Sequence, residues 1–161
     1  MDAVSRKELY MMFFSIPGKA VGKGRPRFAN GHAYTPETTK EYEDLVRAAF
    51  LEEHGRKIED EAIFVQISIY TEPPKSISKK KREELLKGYP MKKPDLDNVA
   101  KIILDALNGV AWKDDTQVVD LRVNRMWATE VTESVIVYIN TANDIKEMFA
   151  EYGKEKEKEN E

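Results

Sequence analysis

The chain has 161 residues, 34% of them charged and 41% apolar, a balance that suits one globular domain with much solvated surface. It contains no cysteine and two histidines, which excludes a disulfide framework, thiolate metal ligation and a zinc centre. No apolar run approaches the length of a bilayer crossing, so no membrane association is expected, and a reducing cytoplasm is the natural setting.

The net charge of −3 speaks against a nucleic-acid partner until its distribution is read. Lys19, Lys23, Arg25 and Arg27 fall within KAVGKGRPR, where there is no acid. Between Lys75 and Lys93 eight basic residues stand against two acids, and Lys92 and Lys93 close the run. Asp95 to Asp120 and the C-terminal tail are, by contrast, rich in acids. Segregation of this kind is what a footprint for phosphates looks like, although a lysine run alone is more often a solvated loop.

In chain order, Leu9 to Ile16 (LYMMFFSI) is apolar and stops at Pro17-Gly18, which predicts a buried first strand rather than a secretion signal. The segment GKAVGKGRPRFANGHAY reads as a mobile loop containing a ragged hairpin that turns at Asn30-Gly31. Thr35 is expected to cap a helix with Pro36 in its first position. That helix carries Tyr42, Leu45, Val46, Ala49 and Phe50 at helical spacing and ends near Gly55. Ala62–Thr71 alternates, with Ile63, Val65, Ile67 and Ile69 on one face of a half-buried strand. Ser78 caps a short basic helix that begins with Lys79, Lys80, Lys81 and Arg82 and closes at Gly88. A helix over Asp95–Asn108 follows, then strands over Gln117–Met126 and Val131–Asn140, joined by a short turn near Ala128–Glu130. The end begins as an amphipathic helix and finishes as a Lys/Glu tract expected to be partly disordered. The fold expected is α+β: one domain over residues 1–140, a mostly antiparallel or mixed sheet of about four strands packed with helices, and a charged tail over 141–161.

The Asp95–Asn108 helix poses the functional question. Leu96, Val99, Ile102, Ile103, Ala106, Leu107 and Val110 gather on one side, with Asp97, Lys101, Asp105 and Asn108 opposite. Asn108-Gly109 supplies its end. Asp95 and Asp97 sit where exposed amides favour negative charge, and Asp97 and Lys101 are neighbours at i and i+4. Capping and surface pairing explain any one of these residues. Asp114-Asp115, just before the next strand, adds two more carboxylates. A helix of about 14 residues spans about 21 Å, so these acids reach the helix start only if the chain doubles back or a second copy supplies them. Converging carboxylates repel unless a hard cation fills the site, and oxygen-only donors select Mg²⁺ or Mn²⁺, the usual apparatus of phosphodiester hydrolysis.

KPDLDN at Lys93–Asn98, Lys101 beyond it, LDALNG at Leu104–Gly109 and WKDDTQV at Trp112–Val118 together resemble the RusA family of Holliday-junction resolvases. KGRPRF at Lys23–Phe28 and YTP at Tyr34–Pro36 resemble its N-terminal half, so the likeness spans roughly Leu9 to Asn140. The resemblance implies a Mg²⁺-dependent homodimeric endonuclease that nicks opposing strands of four-way DNA junctions, with Mn²⁺ able to substitute. It implies that the essential carboxylates are Asp95, Asp97 and Asp115, brought together within the dimer, with Asp114 a possible further ligand and Lys101 the essential lysine. Lys19–Arg27 and Lys75–Lys93 would be its DNA-contacting surfaces.

Two rival readings stand beside this one. A non-catalytic junction-binding relative would bind branched DNA without metal-dependent nicking, and a small-nucleotide phosphohydrolase would turn over nucleotides instead. His32, His54, Trp112, Trp127, Asp105 and Asp120 are read as structural or surface groups. Phe28 and Tyr34 are aromatic groups within a basic loop, for which a wedge into an opened junction and local ordering on DNA binding are the two readings.

Overall fold

The computed structural model describes residues 12–55, 57–147 and 149–150. Leu9–Met11 of the expected first strand and the Lys/Glu tract over 151–161 lie outside the described residues.

Six strands and three helices follow one another in the order β1 (Met12–Pro17), β2 (Arg27–Ala29), β3 (His32–Tyr34), α1 (Glu37–Glu53), β4 (Ile63–Thr71), α2 (Lys79–Leu86), α3 (Leu96–Leu107), β5 (Val118–Trp127) and β6 (Ser134–Thr141). A 3₁₀ turn at Asp115–Gln117 precedes β5, and residues 142–147 and 149–150 are helical. The α+β class stands. The main sheet is mixed, in the order β1-β6-β4-β5, with β1–β6 and β4–β6 antiparallel and β4–β5 parallel.

Helices α1 and α3 pack on one face of this sheet. Phe14, Ile16, Val46, Phe50, Val65, Ile67, Ile102, Ile103, Leu107 and Trp112 are buried there in one core. The apolar stripe of α3 reaches it as its spacing predicts: Val99, Ile102, Ile103, Ala106 and Leu107 are buried and Leu96 is partly exposed. Asn108 is the C-cap, and Gly109 takes the positive φ of 76°.

Four expectations need correction. Strands β5 and β6 are consecutive in sequence but not paired, because β4 lies between them and hydrogen-bonds to both. Their connection instead crosses the end of β4, where the Ala128 amide donates to the Thr71 carbonyl at 2.9 Å. Central placement also makes β4 buried on both faces, so Phe64 and Ser68 are inside along with the alternating isoleucines. Strand β1, by contrast, is a margin of the sheet and is buried on one face only, leaving Phe13 exposed and stacked on Tyr138. The start of α1 moves by one residue: Pro36 occupies the cap position, and its carbonyl takes the amides of Thr39 and Lys40.

The hairpin β2–β3 forms a separate two-stranded ribbon with every residue exposed, and it turns through Asn30 (φ 52°) and Gly31 (φ 79°) as the dipeptide predicts. Before it, the glycine-rich segment is not a mobile loop. The Lys23 amide donates to the Asn98 carbonyl at 2.9 Å and the Gly24 amide to the Thr39 hydroxyl at 3.3 Å. Gly22 runs so close to α3 that a β-carbon there would stand 2.9 Å from the Pro94 Cβ and 3.1 Å from the Asn98 Cβ. The segment is threaded between the starts of α1 and α3. Among the described residues no helix is long and apolar enough to cross a membrane.

Candidate functional site

Helix α3 and strand β5 run in opposite directions, and this sets where each acid lies. At one end, Asn108 bridges to Trp112, the Ala111 carbonyl accepts from the Ile58 amide, and the chain turns into β5 beside the start of β4. At the other end Arg125, late in β5, donates to the carbonyls of Lys92 and Pro94 immediately before α3. The cis Lys93–Pro94 peptide lies in this second corner. Asp95 and Asp97 therefore stand at the Arg125 end and Asp115 at the other. The twelve residues of α3 separate those ends by about 18 Å.

Asp95 is the N-cap residue of α3 by position, yet its carboxylate makes no capping hydrogen bond. It accepts both oxygens' worth of contact from Lys93, at 2.6 and 2.7 Å, in an exposed pair. Capping therefore does not account for Asp95. Asp97 is exposed and makes no ion pair among the described residues. Its expected neighbour Lys101 turns instead to Asp105, at 3.1 Å.

Asp114 differs from these. Its carboxylate accepts from the Thr116 amide at 2.9 Å and closes a reciprocal cap with Gln117. The Thr116 amide and hydroxyl hold the Asp114 carboxyl below its ordinary value. Gln117 completes the turn: its side-chain oxygen accepts from the Lys113 and Asp114 amides, and its nitrogen donates to the Ile58 and Glu61 carbonyls. Asp114 is thus committed to the turn that presents Asp115, which is exposed. Among the described residues, no group of three or more acidic or histidine side chains within one chain is arranged to hold a metal ion.

A cleft of about 210 Å³ opens beside the start of α3, lined by Lys19, Lys92, Lys93, Arg125 and a single acid, Glu133. Burial draws the Arg125 guanidinium below its ordinary value, and the charge of Asp95 opposes this, which marks the two as electrostatic neighbours. Arg125 is the residue that sequence reading misses. Nothing in the local pattern of β5 distinguishes it from Arg122, and only the strand's run past α3 reveals its place.

The remaining basic residues divide into two groups. Lys23 is turned inward, with its ammonium 2.5 Å from Glu43 and 2.8 Å from Asp105. Burial works against its charge, but hydrogen bonds and attraction from Asp105 and Glu43 outweigh this and raise its pKa. Arg25 and Arg27 are exposed, and Lys79, Lys80, Lys81 and Arg82 line a helix with no buried residue. The Ser78 hydroxyl caps that helix through the Lys81 amide at 3.3 Å, as expected. Since α2 contributes nothing to the core, its composition is free to serve a solvent-side partner. His54 fulfils the bland reading, closing α1 and bonding the Phe13 carbonyl at 2.8 Å. Trp112 is fully buried, and Asp120 pairs with Arg122.

Two carboxylates left out of helix capping thus stand at the same end of α3 as a four-cation cleft, whose positive charge favours an anionic ligand over a neutral one. Comparison with known proteins makes the class specific. The family model for endodeoxyribonuclease RusA matches residues 17–140, which contain both the cleft and all the acids described above. The chain belongs to that family. It is also 36% identical over 132 residues to the uncharacterized protein YqaN of Bacillus subtilis (strain 168), an alignment covering 77% of this chain and 93% of that protein.

Proposed function

We propose that this chain is a divalent-metal-dependent endodeoxyribonuclease that cuts four-way branched DNA, acting as a homodimer. The observation that carries the reading is the start of α3, where Asp95 and Asp97 are exposed and uninvolved in capping beside Lys19, Lys92, Lys93 and Arg125. Family membership supports it.

The donor chemistry fits a hard cation, since carboxylate oxygens with no sulfur or imidazole suit Mg²⁺ or Mn²⁺. Asp95 and Asp97 would hold the ion, with Asp115 of a second copy as the third carboxylate and Asp114, whose carboxylate also caps the turn, a possible further ligand ranked below it. When bound, such an ion supplies a hydroxide nucleophile near neutral pH and neutralises charge on the phosphate. The chain's own residues do the rest. Lys93 holds the Asp95 carboxylate until a cation competes for it. Lys101, exposed on the same helix one turn beyond Asp97, is placed to donate to a phosphate oxygen. Arg25, Arg27 and the basic face of α2 provide contacts along the backbone, giving an affinity that falls steeply with salt. The ribbon β2–β3 projects Phe28, 79% exposed, as a platform for an unpaired base at the branch.

The test compares a four-way junction, linear duplex and single strand, each with Mg²⁺ and with chelator. Paired nicks confined to the junction and abolished by chelator are expected. Asp97→Asn should retain junction binding and lose at least about a hundredfold in nicking rate. Near wild-type nicking by that variant refutes the assignment, and turnover of free nucleotides instead of DNA refutes the substrate.

A further inference from the structure

Asp95 has the backbone of an ordinary helix cap. Its φ of −65° and ψ of 148° are extended, and its carbonyl accepts the Val99 amide at 3.1 Å. The carboxylate nevertheless leaves the first amides of α3 and turns to the Lys93 ammonium, 2.6 Å away. That pair is exposed, and an exposed ion pair is no stronger than the capping bond forgone. Lys93 alone does not hold the carboxylate out.

Arg125 supplies what Lys93 lacks. Its place is fixed, because it stands opposite Ile69 in the ladder with the central strand β4, which is buried on both faces. From there its two terminal nitrogens donate to the Lys92 and Pro94 carbonyls. The Pro94 carbonyl belongs to the peptide group that carries the Asp95 amide, so fixing it fixes the stem from which the carboxylate projects. The guanidinium also attracts Asp95, and its two main-chain bonds keep it from swinging away. Those bonds leave it little to offer a DNA phosphate, since its remaining donor, Nε, is buried. Lys92, on the same cleft, is exposed and suited to that task.

We propose that Arg125 is a positioning residue: its fork on the chain before α3 holds the Asp95 carboxylate off the helix amides and facing outward for a cation, without itself contacting DNA. What this does for nicking rests on the nuclease reading. The clamp does not, and it is tested separately.

Arg125→Lys keeps the charge and removes the fork. Thermal unfolding of the full chain reads the state of Asp95 with and without it. Asp95→Ala should leave the wild-type melting temperature within about 1 °C, because no cap is lost. In the Arg125→Lys background it should lower the melting temperature by about 2–4 °C, because the released carboxylate now caps α3. A drop of that size already in wild type shows a capping Asp95 and overturns the proposal. An Arg125 that merely braces the fold gives the same Asp95 effect in both backgrounds, and that result overturns it too. Junction binding in chelator is then followed against salt. Arg125→Met should leave the slope unchanged, whereas Lys92→Met should reduce it by about 1. A slope reduced by Arg125→Met makes Arg125 a phosphate contact and overturns the division of labour. Finally, Mg²⁺-dependent nicking at saturating junction should fall about 10–100-fold in Arg125→Lys while junction affinity is kept. Nicking by that variant at the wild-type rate overturns the positioning role. If the nuclease reading fails, wild type does not nick while the Asp95 effect still differs between the two backgrounds.

Discussion

Replacing Lys23 by methionine isolates the link that ties the glycine-rich segment to both helices. The substitution keeps the aliphatic stem and removes the ammonium that joins Glu43 of α1 to Asp105 of α3. The three side chains are 26%, 13% and 25% exposed, between the surface regime and the buried one. Loss of one partner costs up to about 1 kcal/mol at the surface and about 3–5 kcal/mol when buried, so about 2 kcal/mol is expected here. Arg47 remains near Glu43 at 3.5 Å and Lys101 near Asp105 at 3.1 Å, which keeps the figure from rising further.

The pH dependence follows from the two shifts. Burial opposes the Asp105 charge, but Lys23 and Lys101 overcome this and hold its carboxyl below the ordinary 3.8. That contribution is present above the unfolded value and is lost as pH falls through the folded one. The Lys23 contribution is present below 10.5 and is lost as pH climbs past its raised folded value. Urea unfolding followed by circular dichroism should therefore show the Lys23→Met deficit undiminished at pH 7 and shrinking below about pH 4. Because Lys23 faces inward, the salt slope of junction binding should be unchanged. A variant as stable as wild type at pH 7, or a deficit that persists undiminished in acid, refutes the reasoning.

Gly22→Ala should cost about 1–3 kcal/mol and lower the melting temperature, since its methyl would meet Pro94 and Asn98 carbons that the backbone fixes; unchanged thermal unfolding contradicts the close threading. Burial pushes the Tyr42 hydroxyl up to about 12 from 10, and it faces the Val21 backbone without a well-formed hydrogen bond. The folded state then binds more protons than the unfolded chain between those values, so stability should fall by about 3 kcal/mol as pH rises from 10 to 12. Tyr42→Phe should lose that slope while staying within about 1 kcal/mol of wild type at pH 7, as checked by denaturant unfolding across the alkaline range.

What the sequence made legible is what local physics decides. Helix α3 is readable from its apolar stripe and Asn108-Gly109 end, the ribbon turn from Asn30-Gly31, and the α2 cap from Ser78, because each signal lies within a few residues of its effect. Insertion of β4 between β5 and β6 is a pairing between segments far apart in sequence, and adjacency in the chain points the wrong way. The threading of Gly22–Gly24 looks like flexibility in one dimension, since glycine serves close approach as readily as motion. Asp95 and Asp97 could be named as candidates from composition and position. That Asp115 belongs to the opposite end of the same protomer, and that Arg125 borders Asp95, depend on the antiparallel run of α3 against β5.

The uncapped carboxylate of Asp95 leaves the first amides of α3 without a side-chain acceptor, a local deficit of about 1 kcal/mol relative to a well-capped start. Breeding this protein for heat tolerance alone would reward any change at position 95 that folds back onto those amides. Such a lineage would grow sturdier as it surrendered the oxygens that face outward, so hardiness and competence pull apart at one side chain.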